Sequence, residues 1–173
     1  MRIIRKILLA SALAGPCSAH ALDGVSLEGG HGDEHSDLAR AGLEWNGGRK
    51  RPLGRHWQWG GYWELSAGGW RNGESITDLA ITPVFRLERA SGRAVPYLEA
   101  AIGLHLLSEV DLSEQRITGS KFQFGDHVGA GVRFGGRLRH DLGIRLQHLS
   151  NGGIAKPNPG INFAVLRYQY HYE

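Results

Sequence analysis

Hydrophobic and polar residues alternate along most of the chain, with the period of two that is typical of β-strands. In the stretch 57–69, for example, tryptophans and a leucine on one face alternate with polar residues such as Gln58 and Glu64. The pattern predicts eight strands, which we place at 24–31, 38–45, 57–69, 79–87, 96–106, 122–134 and 138–150, with a last strand that begins near Asn162.

The segments between these strands are rich in glycine and asparagine, which tolerate the positive φ angles of tight turns. An even number of strands favours a closed antiparallel barrel, and eight is the smallest size usual among outer-membrane barrels. The apolar faces are continuous, and tryptophan and tyrosine concentrate near strand ends, as in membrane-interface girdles. We therefore predict an all-β fold, an eight-stranded antiparallel transmembrane β-barrel with an interior filled by side chains. A soluble β-sandwich or lipocalin-like barrel is the alternative.

The N-terminus has the three parts of an export signal: a basic start, a short apolar core at 7–14, and alanines at positions 19 and 21. We therefore predict a cleaved signal peptide at 1–21 and a single barrel domain at 22–173. The signal contains three basic residues and no acidic one, so its removal lowers the formal charge from +3 to zero. A neutral chain without a basic run gives no indication of nucleic-acid binding.

The seventh predicted strand carries the most informative polar residues. Its row of apolar residues is continued, at the same period, by His148 and Ser150. Polar groups that face a membrane are costly, so they indicate a functional site. A neutral imidazole takes the proton of a serine hydroxyl and turns that serine into a nucleophile. The pair therefore predicts a serine esterase, although a His-x-Ser pattern also occurs as structural polarity at a barrel rim.

A nucleophilic serine mechanism also needs a third group that holds the imidazole in its orientation. Asn162 has the parity of the same face and starts the last strand, so antiparallel pairing brings it near His148. The loop 151–160 between them is rich in glycine, asparagine and proline, and its amides are candidates for an oxyanion hole. With a periplasmic N-terminus, the seventh strand ends at the cell surface, which places this site in the outer leaflet.

These residues resemble a known family, the PagL-type lipid A deacylases. The motifs that carry the resemblance are Gly61-Tyr62-Trp63-Glu64, residues 122–134, His148-Leu149-Ser150-Asn151 and Pro157-Asn158-Pro159-Gly160. The resemblance implies an eight-stranded barrel that removes the ester-linked 3-O-acyl chain, a 3-hydroxyacyl chain, from lipid A without a metal or other cofactor. It implies the following roles: nucleophile for Ser150, base for His148, and oxyanion region or its support for Asn151, Gly153 and Asn158. One position departs from the pattern, because the family has glutamate where this chain has Asn162.

Two other function classes stay open, a non-enzymatic structural or adhesive barrel and a lipid A acyltransferase. The expected partners are lipopolysaccharide as substrate and the surrounding outer-membrane lipids, and a homodimer is left open. Lys156 follows Ser150 in the loop and is a candidate for contact with a lipid A phosphate. The histidines and acids at 31–37 have the chemistry of a divalent-cation site, but the glycine and serine among them favour a solvated loop.

Overall fold

The computed structural model describes residues 22–72, 74–113 and 116–172, so the predicted signal peptide at 1–21 lies outside the described residues. Within these ranges the long strands are β1 Gly24–Gly32, β2 Asp37–Asn46, β4 Trp57–Asn72, β5 Glu74–Arg89, β6 Val95–Leu107, β9 Phe122–Phe134, β10 His140–Ser150 and β11 Ile161–His171. The short strands are β3 Arg51–Leu53, β7 Asp111–Ser113 and β8 Arg116–Ile117. Two single 3-10 turns lie at Asp33–His35 and Gly136–Leu138.

The long strands form one closed antiparallel barrel. They are hydrogen-bonded in the order β2, β1, β11, β10, β9, β6, β5, β4, and pairing of β2 with β4 closes the ring. The predicted eight-stranded antiparallel barrel is therefore confirmed for the described residues. The short strands were not predicted, since two or three residues are too few for an alternating pattern. Of these, β7 and β8 pair with each other in the long loop between β6 and β9.

The inward side chains of the barrel include a buried network of arginines and carboxylates. Arg145 donates to Glu99 at 2.8 Å, to Glu28 at 2.5 Å and to Glu64 at 3.2 Å. Its own side chain is only 2% exposed. Charges in a water-poor interior are tolerated when they are paired and hydrogen-bonded, and this network meets both conditions.

One end of the barrel interior is apolar instead. The buried residues of this cluster are Leu38, Trp70, Ile76, Leu107, Leu112, Leu149, Ile161, Phe163 and Val165. Leu149 and Ile161 are fully buried there, on the last residue pair that joins β10 to β11. Because side chains alternate along a strand, this inward anchoring turns their neighbours His148, Ser150 and Asn162 outward.

The outer wall of the barrel is a continuous apolar surface. Its most exposed large residues include Leu27, Leu79, Phe85, Leu98, Ile102, Leu106, Val128, Ile144, Leu146 and Leu166. Such an outward band is what hydrocarbon chains would contact in a bilayer. No helix among the described residues is long and apolar enough to cross a membrane.

Candidate active site

The end of β10 carries two polar side chains on the lipid-facing side of the wall. Along this strand the inward residues are buried, and the outward row leads from exposed Leu146 to half-exposed His148 and Ser150. The structure thus places both residues on the face that strand parity predicted. Ser150 is the last residue of the strand, so its hydroxyl lies at the rim of the barrel, where β10 passes into the loop 151–160.

Asn162 lies directly across from His148 in the pairing of β10 with β11. The Nδ1 atom of His148 and the Oδ1 atom of Asn162 are 2.8 Å apart. An amide oxygen only accepts hydrogen bonds, so Nδ1 carries the hydrogen in this contact. In the neutral ring this leaves Nε2 without a hydrogen, which is the tautomer that a general base requires.

The other end of the Asn162 amide is bound by an acid from the first loop. Asp33 Oδ2 accepts a hydrogen bond from Asn162 Nδ2 at 2.9 Å and one from the Asn162 backbone N–H at 3.2 Å. Arg116, in the short strand β8, donates to the same Asp33 oxygen at 3.1 Å and to Glu34 at 2.5 Å. Three segments that are distant in sequence therefore meet beside His148.

Gly160 permits the loop to approach the imidazole closely. Its φ angle is +66°, a left-handed conformation that favours glycine. A Cβ added there would lie 2.5 Å from His148 Cε1 and 3.1 Å from Nε2. Its carbonyl oxygen accepts a hydrogen bond from Arg116 at 2.9 Å. The ring is thus bounded by Asn162 on one side and by the backbone of Gly160 on another.

The predicted oxyanion residues hold the shape of the loop 151–160. Asn151 is fully buried, its backbone N–H donates to Asn158 Oδ1 at 2.9 Å, and its side-chain amide donates to the Ala155 carbonyl at 2.9 Å. The Gly153 N–H donates to Asn151 Oδ1, also at 2.9 Å. These donors serve acceptors inside the loop, so the geometry supports a structural role for Asn151 and Gly153. The side chain of Asn158 lies on the exposed face of the loop.

A groove on the outer wall runs past His148. Its lining includes apolar and polar residues: His31, Asp33, Asp126, Val128, Leu146, Asn162 and Phe163. Asp126 is an exposed acid on the otherwise apolar face of β9, and it pairs with His148 in a regular register without a bulge. An amphipathic groove of this kind suits an acyl chain with an ester at one end.

Lys156 and the cluster at 31–37, both singled out in the sequence, differ in their relation to the site. Lys156 is exposed in the loop, beyond Asn151 and before Gly160. Of the 31–37 cluster, His31 pairs with Asp37 at 2.9 Å, whereas Asp33 reaches the site. Among the described residues no three His, Cys, Asp or Glu side chains converge as a metal site would need. The sequence did not place Asp33 or Arg116 beside His148, because loop residues carry no periodic signal that would bring them together.

The sequence matches a known family over most of its length. A family model described as lipid A 3-O-deacylase (PagL) matches residues 39–171. The chain belongs to this lipid A 3-O-deacylase family. The resemblance seen in the sequence motifs is thereby confirmed.

Individual relatives of the deacylase family agree with this assignment. A protein named lipid A deacylase PagL from Bordetella bronchiseptica is 34% identical, over 96% of this chain and 93% of its own length. A protein of the same name from Pseudomonas aeruginosa is 30% identical, over 96% of this chain and 98% of its own length. A crystal structure of the outer membrane enzyme PagL superposes with a TM-score of 0.79 and 30% identity, over 85% of this chain and 98% of that one.

Proposed function

We propose that the protein removes the ester-linked 3-O-acyl chain of lipid A, with Ser150 as nucleophile, His148 as base and Asn162 as the orienting residue. One observation carries the mechanism. His148 faces the lipid side with its Nδ1 atom 2.8 Å from Asn162, two residues before Ser150 on the same face of β10. Membership of the lipid A 3-O-deacylase family supplies the substrate class.

The reaction proceeds in two acyl-transfer steps, first to Ser150 and then to water. The Ser150 oxygen attacks the ester carbonyl while its proton moves to Nε2 of His148, and the same proton then passes to the departing 3-oxygen of the sugar. Water next attacks the acyl-serine, again giving its proton to His148, which returns it to the Ser150 oxygen. The products are a free 3-hydroxy fatty acid and a lipid A molecule with a free 3-hydroxyl group.

The orientation that we infer for the barrel in the membrane brings this chemistry to the depth of the substrate. The protein lies in the outer membrane, and with both termini on the periplasmic side β10 ends at the cell surface. Ser150 and His148 then face the outer leaflet, where lipid A resides. The exposed residues below them, such as Leu146 and Ile144, contact the acyl chains of the same leaflet.

The loop after Ser150 supports the transition state. Asn158 offers an exposed amide beside the nucleophile, and Asn151 and Gly153 hold the loop that presents it. Amide hydrogens near the carbonyl oxygen stabilise the negative charge that develops there. Lys156 is exposed on the same loop, and we assign it to contact with a phosphate of lipid A.

The test compares lipid A from cells that express the wild type, Ser150→Ala or His148→Ala. We expect mass spectra to show loss of one hydroxyacyl chain with the wild type only, and rates of the purified variants to fall at least about a thousandfold. Ser75→Ala is the matched control, since Ser75 is an exposed serine of β5 outside the site.

Two outcomes would contradict the proposal. Unchanged deacylation by both variants would eliminate the Ser150–His148 mechanism and would require another nucleophile. Recovery of the acyl group on an acceptor lipid, with no free fatty acid, would make the protein an acyltransferase instead.

A further inference from the structure

The two ends of the Asn162 amide have opposite effects on His148. With Oδ1 toward the ring, Nδ1 holds the hydrogen and Nε2 is free to take the proton of Ser150. With Nδ2 toward the ring, Nδ1 must accept, the hydrogen moves to Nε2, and the imidazole is no longer a base for the serine. A carboxylate at position 162 would have no such ambiguity, because both of its oxygens accept.

The contact with Asp33 removes this ambiguity. A carboxylate only accepts, and Asp33 Oδ2 lies 2.9 Å from Asn162 Nδ2 and 3.2 Å from the Asn162 backbone nitrogen. The NH₂ end of the amide therefore has to face Asp33, and the oxygen end has to face His148. A flipped amide would set two acceptors, an amide oxygen and a carboxylate oxygen, against each other.

Asp33 is itself held in place by Asn162 on one side and by Arg116 on the other. Arg116 binds the Asp33 oxygen at 3.1 Å, and the two side chains are 28% and 31% exposed. The same guanidinium donates to the Gly160 carbonyl, next to the imidazole. The acid thus has a defined position in the groove, with its negative charge one amide group away from the ring that becomes positive during the reaction.

We propose that Asp33 is a positioning residue for the hydrolysis. It orients the Asn162 amide with its oxygen toward His148, which sets the basic tautomer, and it supplies the negative charge that an amide lacks. Charge–dipole–imidazole chains of this form stabilise the imidazolium through the intervening amide. The proposal rests on the Ser150–His148 mechanism proposed above.

The test uses the full-length protein and a double-mutant cycle, which combines Asp33→Asn with Asn162→Glu. In the wild-type background, we expect Asp33→Asn to lower kcat about 10- to 100-fold, the range seen when the group that orients a functional histidine is removed. KM should stay unchanged, since Asp33 acts through the amide and not on the lipid. Asn162→Glu alone should preserve or raise activity.

The effect of Asp33→Asn should reverse in the Asn162→Glu background. The introduced carboxylate needs no orientation and is repelled by Asp33, so removing the Asp33 charge should there be neutral or raise kcat. If Asp33 merely supported the loop, Asp33→Asn would lower kcat by the same factor in both backgrounds. Asp37→Asn is the control, because Asp37 is the first residue of β2, just after the loop of Asp33, and pairs with His31.

A spectroscopic measurement reports the tautomer directly. With ¹⁵N-labelled histidine in micelles, the His148 signals, assigned by their loss in His148→Gln, should show hydrogen on Nδ1 in the wild type. Asp33→Asn should show a mixture of both tautomers. An unchanged tautomer in that variant would overturn the proposal.

Other outcomes separate this proposal from the proposed function. Full activity of Asp33→Asn beside an inactive Ser150→Ala would sink the role of Asp33 and leave the serine mechanism standing. An active Ser150→Ala would remove the mechanism itself. The effect on kcat could reverse between the two backgrounds for Asp126→Asn and not for Asp33→Asn. The charge that acts on His148 would then belong to Asp126 in β9, and the proposal would be overturned.

Discussion

The barrel has polar groups in two unusual places, in its interior and on its lipid-facing wall. The two sets differ in their hydrogen-bond and ion-pair partners. Inside, each arginine meets several acids. Arg86, for example, donates to Glu99 and to Asp141, both at 2.7 Å. Arg167 donates to Glu64 at 2.8 Å and also to Glu44. The interior arginines are thus neutralised by neighbouring acids.

The polar groups on the outer wall are arranged differently. His148 is tied at Nδ1 to Asn162, and its Nε2 edge lies against Gly160 and the open groove. Ser150 stands at the strand end, above exposed apolar residues. This set is bonded on one side and accessible on the other.

On the proposed mechanism, the buried charges of this molecule serve its structure, whereas the polar groups in its apolar surface serve its chemistry. The interior ion pairs connect side chains of different strands and so hold these strands in register. A polar group exposed to lipid has no structural benefit that would offset its cost. Substitutions in the two regions should therefore have separate effects on stability and on turnover.

The largest expected effect lies in the interior. Arg145→Met removes the cation that Glu28, Glu64 and Glu99 share. Each of these buried carboxylates keeps a bond to at least one other arginine, but the network loses one of its positive charges. We expect the free energy of unfolding to fall by about 3–5 kcal/mol, measured by urea unfolding in lipid vesicles. Deacylation per folded molecule should stay at the wild-type rate.

The control for this change is Arg93→Met, since Arg93 is an exposed arginine in the turn between β5 and β6. The free energy of unfolding of Arg93→Met should differ from that of the wild type by less than about 0.5 kcal/mol. Loss of turnover in folded Arg145→Met would contradict the comparison, because it would couple the interior network to the outer wall.

A smaller effect, on turnover, is expected for Gly160→Ala. The added methyl group would lie 2.5 Å from His148 Cε1, so the ring has to move away from the position that Asn162 defines. Misplacement of a catalytic group by about 1 Å costs on the order of a hundredfold in rate. We expect kcat to fall about 10- to 100-fold, measured as fatty-acid release in detergent.

Gly54→Ala separates this contact from backbone strain. Gly54 has a φ angle of +67°, nearly that of Gly160, but a Cβ there would meet nothing within 4 Å. Both variants should lose about 1–2 kcal/mol of stability from the left-handed backbone, and only Gly160→Ala should lose turnover. Equal rates of the two variants would show that the ring tolerates the methyl group.

The sequence was sufficient to predict the barrel and the placement of His148, Ser150 and Asn162 on it, because both follow from strand parity. The alternating pattern located β10, and counting residues along this strand predicted that His148 and Ser150 face outward. The same parity, with antiparallel pairing, brought Asn162 opposite His148, where the structure has it.

The surrounding residues could not be predicted in this way. Asp33 and Asn162 are 129 positions apart, and Asp33 and Arg116 are 83 apart. Their contacts join loops, whose conformation depends on hydrogen bonds and packing instead of periodicity. The acids at 31–37 were therefore interpreted as a solvated loop, although Asp33 lies in the groove beside His148.

The smallest expected effect is that of Lys156→Gln, which tests whether an exposed cation guides the substrate. Because an exposed charge contributes at most about 1 kcal/mol, KM should rise about two- to fivefold, with kcat unchanged. The difference should shrink at high salt, since exposed charges are screened. Lys121→Gln is the control, as Lys121 bonds to Ser108 in a neighbouring loop. A fall in kcat without a change in KM would instead give Lys156 a role in holding the loop. Lys156 would then serve the structure, as the interior arginines do.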